Sequence, residues 1–302
     1  MKDYVREYFD RHAERWVEAA YTGETRFPIG PERVRLALDG VAPAFREGAA
    51  LVDLGCGGGQ LCLDAAELGW RVVGVDVAPG MIEEARELCR GRDVELAVAS
   101  YDESGFPDAS FDAVTALGLI EYLPDDAGLL IEARRLLRPG GRFAVSCRNR
   151  LYNLLSANRY TERELAAGDA TALLAELEEA LARAGGEEIR ALAEALAEAG
   201  SDLSEAASDD VDVVAPPLHE HTTAFAEERR QHTPSELERA ARDAGLTPVA
   251  TLALHPHPLP PGAERLSPRV YNRLALAWQR PLERSPLGLA FCSAFVAVFE
   301  CP

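Results

Sequence analysis

The 302-residue chain is almost without lysine: Lys2 is the only one, and arginine makes up the rest of its 31 basic residues. That absence excludes a buried Schiff-base lysine, a P-loop lysine and a kinase strand lysine, and with them pyridoxal enzymes, P-loop NTPases and protein kinases. Positive charge is scarce altogether. Fifty acidic residues set the net charge at −19, which repels phosphate backbones and argues against nucleic acid as a partner. The six cysteines (Cys56, Cys62, Cys89, Cys147, Cys292 and Cys301) contain no C-x-x-C pair and no regular framework. Buried, reduced thiols in a cytoplasmic protein are expected. Long apolar runs are also missing. The longest, Leu287 to Phe299, is too short for a bilayer and contains Gly288 and Ser293. Met1 to Tyr21 is charged throughout and has no signal-peptide core, so neither membrane nor export is expected.

What is present is an ordinary globular composition, 47% apolar and 27% charged. A chain of this length buries roughly three quarters of its unfolded surface and needs no disulfide or metal staple. Tyr4, Tyr8, Phe9, His12 and Trp16 recur among charges over residues 3–20, predicting an amphipathic helix, and Pro31 opens a second one. From Ala50 onward, apolar runs at 50–54, 71–75, 94–98, 111–117 and 142–147 alternate with helix-like segments at 59–68, 79–91 and 126–137. Strands alternating with helices imply βαβ units and a parallel sheet. The turn Pro139-Gly140-Gly141 is expected to end the third helix before the fifth strand.

The rhythm breaks after Cys147. Residues 163–208 are rich in Ala, Glu and Leu, with one stripe at Leu173, Leu174, Leu177 and Leu181 and another at Ile189, Leu192 and Leu196. A helical hairpin inserted into the sheet domain is expected. Thr233-Pro234-Ser235-Glu236 is a capping box that restarts the sheet pattern, its helix stopping at Gly245. A strand at 247–254, a helix at 268–279 and a last strand within 290–299 complete it.

The most informative passage is Leu51-Val52-Asp53-Leu54-Gly55-Cys56-Gly57-Gly58-Gly59-Gln60, a buried strand running through a glycine turn into a helix. Glycines there permit positive φ and close approach of a ligand to the main chain, and the helix start offers unpaired N–H groups. A dinucleotide turn needs G-x-G-x-x-G, but Gln60 holds the third position. Asp53 before the turn suits a positively charged ligand group, and Asp76 at the tip of the next strand can accept from ribose hydroxyls.

Several separated blocks carry a resemblance. Val52 to Gly59, Val72 to Met81, Phe106 to Val114, Gly118 to Asp125 and Leu136 to Phe143 are together similar to the motifs of class I S-adenosylmethionine-dependent methyltransferases. Residues 1–150 and 230–300 share in the resemblance; the insert does not. The resemblance implies an α/β fold, a Rossmann-like doubly wound seven-stranded sheet with a helical lid insertion between strand five and the following helix. It implies three parts: N-terminal helices over the cofactor (1–48), the methyltransferase domain (49–150 and 231–302) and the acceptor lid (151–230), for which a homodimerisation arm or an inert appendage is the alternative.

Carried over by residue, Gly55, Cys56 and Gly57 would approach the methionine moiety of S-adenosyl-L-methionine, with Asp53 near its ammonium. Asp76 would hold the ribose, and Val77 and Met81 would flank adenine. Where the family usually has an aspartate for the adenine amino group, this chain has Ser100, followed by Tyr101 and Asp102. Leu117 would contribute its backbone, and Tyr8, Trp16 and Tyr21 resemble an aromatic helix folded over the sulfonium.

Methyl transfer from a sulfonium needs alignment and exclusion of water above all, and a base only when the acceptor carries a proton. Glu121 and Tyr122, after strand four, and His232, before the capping box, are the candidate catalytic residues, His232 being the preferred base. Asn149, Arg150, Tyr152, Asn153 and His221 are the candidate acceptor-binding residues at the carboxyl edge of the sheet, where open α/β sheets bind ligands. No metal is expected: His219, His221, His255 and His257 match no ligand spacing, and His255-Pro256-His257-Pro258 is read as a rigid loop. The expected activity is methylation of an O or N nucleophile of a small metabolite, yielding S-adenosyl-L-homocysteine. Rivals are a peptide or protein methyltransferase, a nicotinamide oxidoreductase and a non-catalytic adenosylmethionine-binding protein.

Overall fold

The computed structural model of the chain describes residues 3–21, 27–44, 48–206, 229–259 and 268–302. Seven strands form one sheet in the order β3-β2-β1-β4-β5-β7-β6. They are β1 (Ala50–Leu54), β2 (Arg71–Asp76), β3 (Val94–Val98), β4 (Phe111–Leu117), β5 (Leu137–Arg148), β6 (Thr247–Pro256) and β7 (Cys292–Glu300). The first five are parallel, and β7 is antiparallel to both β5 and β6. β6 therefore runs in the same direction as β5. The carboxyl ends of β1, β2, β4, β5 and β6 and the start of β7 share one edge. Strand order reverses at β1, between β2 and β4, and such a switch point opens a crevice for ligands. This is the Rossmann-like, doubly wound sheet expected from the sequence.

Both faces of the sheet are covered, so β1 is buried at every position and is apolar except at Asp53. Helices α1 (Asp3–Arg11), α2 (Ala13–Tyr21) and α3 (Ile29–Val41) precede it. α3 buries Val34, Leu36, Ala37 and Val41 against a core that includes Leu51, Leu252 and Val298. Helices α4 (Gln60–Glu67), α5 (Pro79–Leu88) and α6 (Ala127–Leu136) alternate with the strands. One boundary differs from expectation. Pro139-Gly140-Gly141 does not separate α6 from the fifth strand; β5 already begins at Leu137, paired with Phe111, and the register slips before Arg142 pairs with Ala113. The glycines lie inside that irregularity, with Gly140 at φ +77°.

Between β5 and the capping-box helix the chain forms α7 (Arg159–Ala167), α8 (Ala170–Ala182) and α9 (Gly186–Ala206). The box itself is complete: the Thr233 hydroxyl accepts from Glu236 N–H, and Thr233 N–H donates to the Glu236 carboxylate, opening α10 (Pro234–Asp243). α8 packs on α12 (Pro286–Phe291), and α9 packs on α11 (Pro268–Leu282). The expected leucine stripes shift accordingly. Leu173, Leu177 and Ala180 are buried and Leu174 and Leu181 exposed, because α8 turns only its i, i+4, i+7 face inward; on α9, Ile189 and Leu196 are exposed as well. No described helix is long and apolar enough to cross a membrane.

Candidate active site

The turn after β1 places Gly55, Gly57 and Gly59 at φ +73°, +52° and +83°, conformations that a Cβ would strain. Gly55 and Cys56 N–H donate to Val75 O at 2.8 and 3.0 Å, tying the turn to β2. Asp76, at the tip of β2, accepts from Gly57 N–H at 3.0 Å and Ala78 N–H at 2.9 Å, so one carboxylate spans the turn and the start of α5. Burial pushes the Asp76 carboxyl above its usual range while those amides oppose the shift.

Above this turn lies a cavity of about 500 Å³ that runs along the carboxyl edge of the sheet. Gly55, Gly57, Asp76, Val77, Met81 and Leu117 line one end, and Trp16 covers it from α2. Phe9 of α1 closes the same side, packed edge-on against Trp16 at 5.9 Å and Tyr122 at 5.4 Å between ring centroids. Glu121, Tyr122, Asn149, Tyr152 and Asn153 continue the wall. Most of the residues singled out in the sequence thus meet around one space.

Others stand back from it. Asp53 is 3% exposed, accepts from the Thr115 hydroxyl at 2.7 Å, and is pushed up to about 7 by burial. Cys56 is buried with its thiol toward Gly57 O. Ser100 donates to Asp102, and Tyr101 sits against Gly128; none of the three lines the cavity. Tyr8 packs at a tilt against His12, 4.6 Å between ring centroids, and does not line the cavity. Arg150 is engaged by Glu164, Asp169 and Glu236. His232 is buried, with Nε2 2.9 Å from Asp126 Oδ1 and its main chain bridged to Arg148 and Arg150, so it joins the returning chain to β5 outside the lining. Asn149 does reach the cavity, but its amide donates to Leu289 O and Cys292 O and accepts from Leu151 N–H, which leaves it a clamp between β5 and β7. The Tyr21 side chain, His219 and His221 lie outside the described residues.

The cavity also gathers residues outside the expected site, among them His255 and His257 of the segment read as a rigid loop, of which His255 and Pro256 belong to β6. Arg33 of α3 reaches the end of β4, its Nη1 3.0 Å from where a Cβ on Gly118 would stand, and its Nε is buried without a hydrogen-bond partner. Arg148 lies 3.8 Å from Glu121 and donates to the Tyr160 hydroxyl at 3.2 Å. His255 and His257, at the end of β6, line the same wall. His255 has φ +62°, stacks on Phe27 at 4.5 Å and pairs through Nδ1 with the Ser293 hydroxyl at 3.3 Å. His257 stacks on Tyr152 at 4.6 Å and pairs through Nδ1 with the Tyr271 hydroxyl. Nε2 of each is buried with no partner. Burial, then the nearby arginine charge, lowers His255 to about 3; burial and His255 hold His257 well below its ordinary value. Both imidazoles are neutral at physiological pH. The sequence signal for them is His-x-His at a strand end, legible only once β6 is known to run with β5.

Comparison with known proteins agrees with this geometry. Residues 52–145 match the family of methyltransferase domains. The ubiquinone biosynthesis O-methyltransferase of Xanthomonas axonopodis pv. citri is 35% identical over 141 residues, 46% of this chain and 58% of that protein. The enzyme of the same name from Methylococcus capsulatus is 31% identical over 147 residues, 48% and 61% of the two chains. The alignments thus span little more than half the length of these curated relatives. Among solved structures, the complex of the Haloferax volcanii Trm112 methyltransferase activator with a methyltransferase covers 97% of both chains at TM-score 0.56 and 19% identity. A geranyl diphosphate methyltransferase bound to its substrate and sinefungin covers 90% of this chain and 79% of that one at TM-score 0.53 and 20% identity. At such identities these two speak for the fold alone.

Proposed function

We propose that this chain is a class I S-adenosylmethionine-dependent methyltransferase, a reading supported by the match of residues 52–145 to the methyltransferase-domain family, and that it methylates an oxygen or nitrogen of a small metabolite in the cytoplasm. The observation that carries the reading is the continuity of one cavity, from the glycine turn and Asp76 at one end to the imidazoles of His255 and His257 at the other. Its volume is that of a small-molecule site, not of an open macromolecular surface.

The residues present fit the cofactor. Positive-φ glycines let the main chain approach the amino-acid moiety, Asp76 presents further lone pairs to ribose hydroxyls, and Val77 and Met81 offer apolar surface to adenine. Arg33, a cation without a hydrogen-bonded counter-ion at Nε, is placed for a carboxylate beside Gly118. S-adenosylmethionine supplies an electrophilic methyl group on a sulfonium. The protein's part is alignment and dryness: Phe9, Trp16 and Tyr122 form an aromatic cover, and Tyr152 and Tyr160 enclose the opposite side. The segment 151–160, where the insert begins, shapes the acceptor end and serves as part of a lid.

Calorimetry with S-adenosylhomocysteine tests this. Saturable binding to the wild type is expected, weakened about tenfold or more in Asp76→Ala and in Arg33→Met, since a charge-assisted hydrogen bond is worth ~1.5–3 kcal/mol. Absence of binding, or binding indifferent to both changes, would overturn it.

A further inference from the structure

We propose that the methyl acceptor carries a carboxylate, held as a recognition handle by the guanidinium of Arg148 at the end of β5, while its methylated atom lies elsewhere on the molecule. The inference rests on the methyltransferase reading and deepens it by naming the charge class of the acceptor.

Three observations support it. First, the cavity inverts the charge of the chain. Arg6, Arg33, Arg148 and Arg229 line it against the carboxylates of Asp76 and Glu121, in a molecule of net charge −19. The charges of Arg229, Arg148 and Arg33 all reach Tyr122, so they converge on the acceptor end. The cofactor does not relieve this surplus, because its ammonium and sulfonium outnumber its one carboxylate, which is assigned to Arg33. A second ligand entering so cationic and enclosed a space gains most if it brings negative charge. Second, Arg148 has hydrogen-bonding capacity to spare. Arg150, two residues on, meets Glu164, Asp169 and Glu236. Arg148 meets only Glu121, 3.8 Å from its Nε and too far for a hydrogen bond. Among the described residues its one side-chain hydrogen bond goes to the Tyr160 hydroxyl at 3.2 Å. Most of a five-donor fork is thus left for a ligand. Third, the fork is fixed in place. Its central carbon lies 5.9 Å from the centre of the Tyr160 ring on α7, so β5 and the insert hold it together at the cavity wall before anything binds.

A carboxylate matches this site better than a phosphate ester does. One planar guanidinium pairs bidentately with one carboxylate. A phosphate dianion would set a second negative charge beside the buried Glu121. A carboxylate whose lone pairs are engaged by the guanidinium is a poor nucleophile, so the methyl group goes to another atom. The handle then fixes how far that atom stands from the anchored end, which is the alignment that transfer from a sulfonium needs.

The test is calorimetry on the whole chain saturated with S-adenosylhomocysteine, with hexanoate, benzoate and indole-3-acetate as probes, each beside its primary amide. At least one acid is expected to bind about tenfold or more tightly than its amide, and less tightly as salt rises, as a charge-assisted pair requires. Arg148→Met should abolish that preference while S-adenosylhomocysteine affinity stays at the wild-type value. Arg148→Lys, which keeps the charge without the fork, should reduce the preference severalfold, so the proposal stands or falls even if the methionine variant does not fold. A guanidinium that merely braced α7 against β5 would not tell an acid from its amide. No preference for any of the acids, or a preference that survives both substitutions unchanged, would overturn the inference and leave cofactor binding intact. Loss of S-adenosylhomocysteine binding by the wild type would instead strike the methyltransferase reading beneath it.

Discussion

His232 and His255 show how two histidines of one chain come to different uses. His232 meets Asp126, and although burial pushes that carboxyl up, the hydrogen bonds from His232 and Arg230 pull it down to about 2. His255 is lowered to about 3 by burial first and by the charges of Arg148 and Arg33 second, and stays neutral. His232→Ala should therefore lower unfolding free energy in urea by about 1–3 kcal/mol, the cost of a buried carboxylate losing a partner, and leave S-adenosylhomocysteine affinity unchanged. A lost affinity with undiminished stability would contradict this. The pH dependence has a definite sign. An unfolded histidine protonates near pH 6.5, whereas folded His255 resists protonation down to about 3. Its contribution to stability is present above pH 6.5 and is lost as pH falls from there toward 3. Asp53, raised to about 7, acts oppositely, favouring the fold as pH falls from 7 toward 3.8. The comparison that separates them is thermal unfolding of wild type and His255→Gln between pH 7 and 4: the variant should lose less stability over that range. Equal losses would contradict the assignment.

At the level of elements, the glycine turn serves two neighbours at once. A Cβ on Gly58 would stand 2.5 Å from a methyl of Val17 in α2, and Gly80 N–H donates to Asp10 of α1 at 2.7 Å. The N-terminal helices are thus seated directly on the turn and on the start of α5. Gly58→Ala should lift α2, moving Trp16 from the cavity and weakening S-adenosylhomocysteine binding about tenfold, in line with ~1–3 kcal/mol for overpacking. Unchanged affinity and Trp16 fluorescence would show that α2 does not cover the site. These elements were largely legible in the sequence, because alternation of apolar strands with capped amphipathic helices is a local pattern. Thr233-Pro234-Ser235-Glu236 specifies its helix start completely. Leu137 was not legible as strand, since its pairing with Phe111 depends on a neighbour 26 positions earlier and a register slip. Leu174 and Leu181 were not legible as exposed, since only the docking of α8 on α12 decides which side of a leucine-rich helix is buried.

Across the whole molecule, charge is distributed against its average. In a chain of net charge −19, Arg6, Arg33, Arg148 and Arg229 all line the cavity, against the carboxylates of Asp76 and Glu121. The cofactor end of that cavity was readable from Gly55, Gly57 and Asp76, since a strand–turn–helix is contiguous in sequence. The acceptor end was not. It is assembled from α3, β4, β5, β6 and the start of β7, and only the sheet order brings Arg33, Arg148 and His255 to the same edge. The most direct measurement is a crystal structure of the protein soaked with S-adenosylhomocysteine. The ribose should lie on Asp76, the amino-acid end over Gly55 and Gly57 with its carboxylate toward Arg33, and the sulfur should face the space bounded by Tyr152 and His255. Density for the nucleoside elsewhere, or an empty turn under saturating ligand, would contradict the assignment of this cavity.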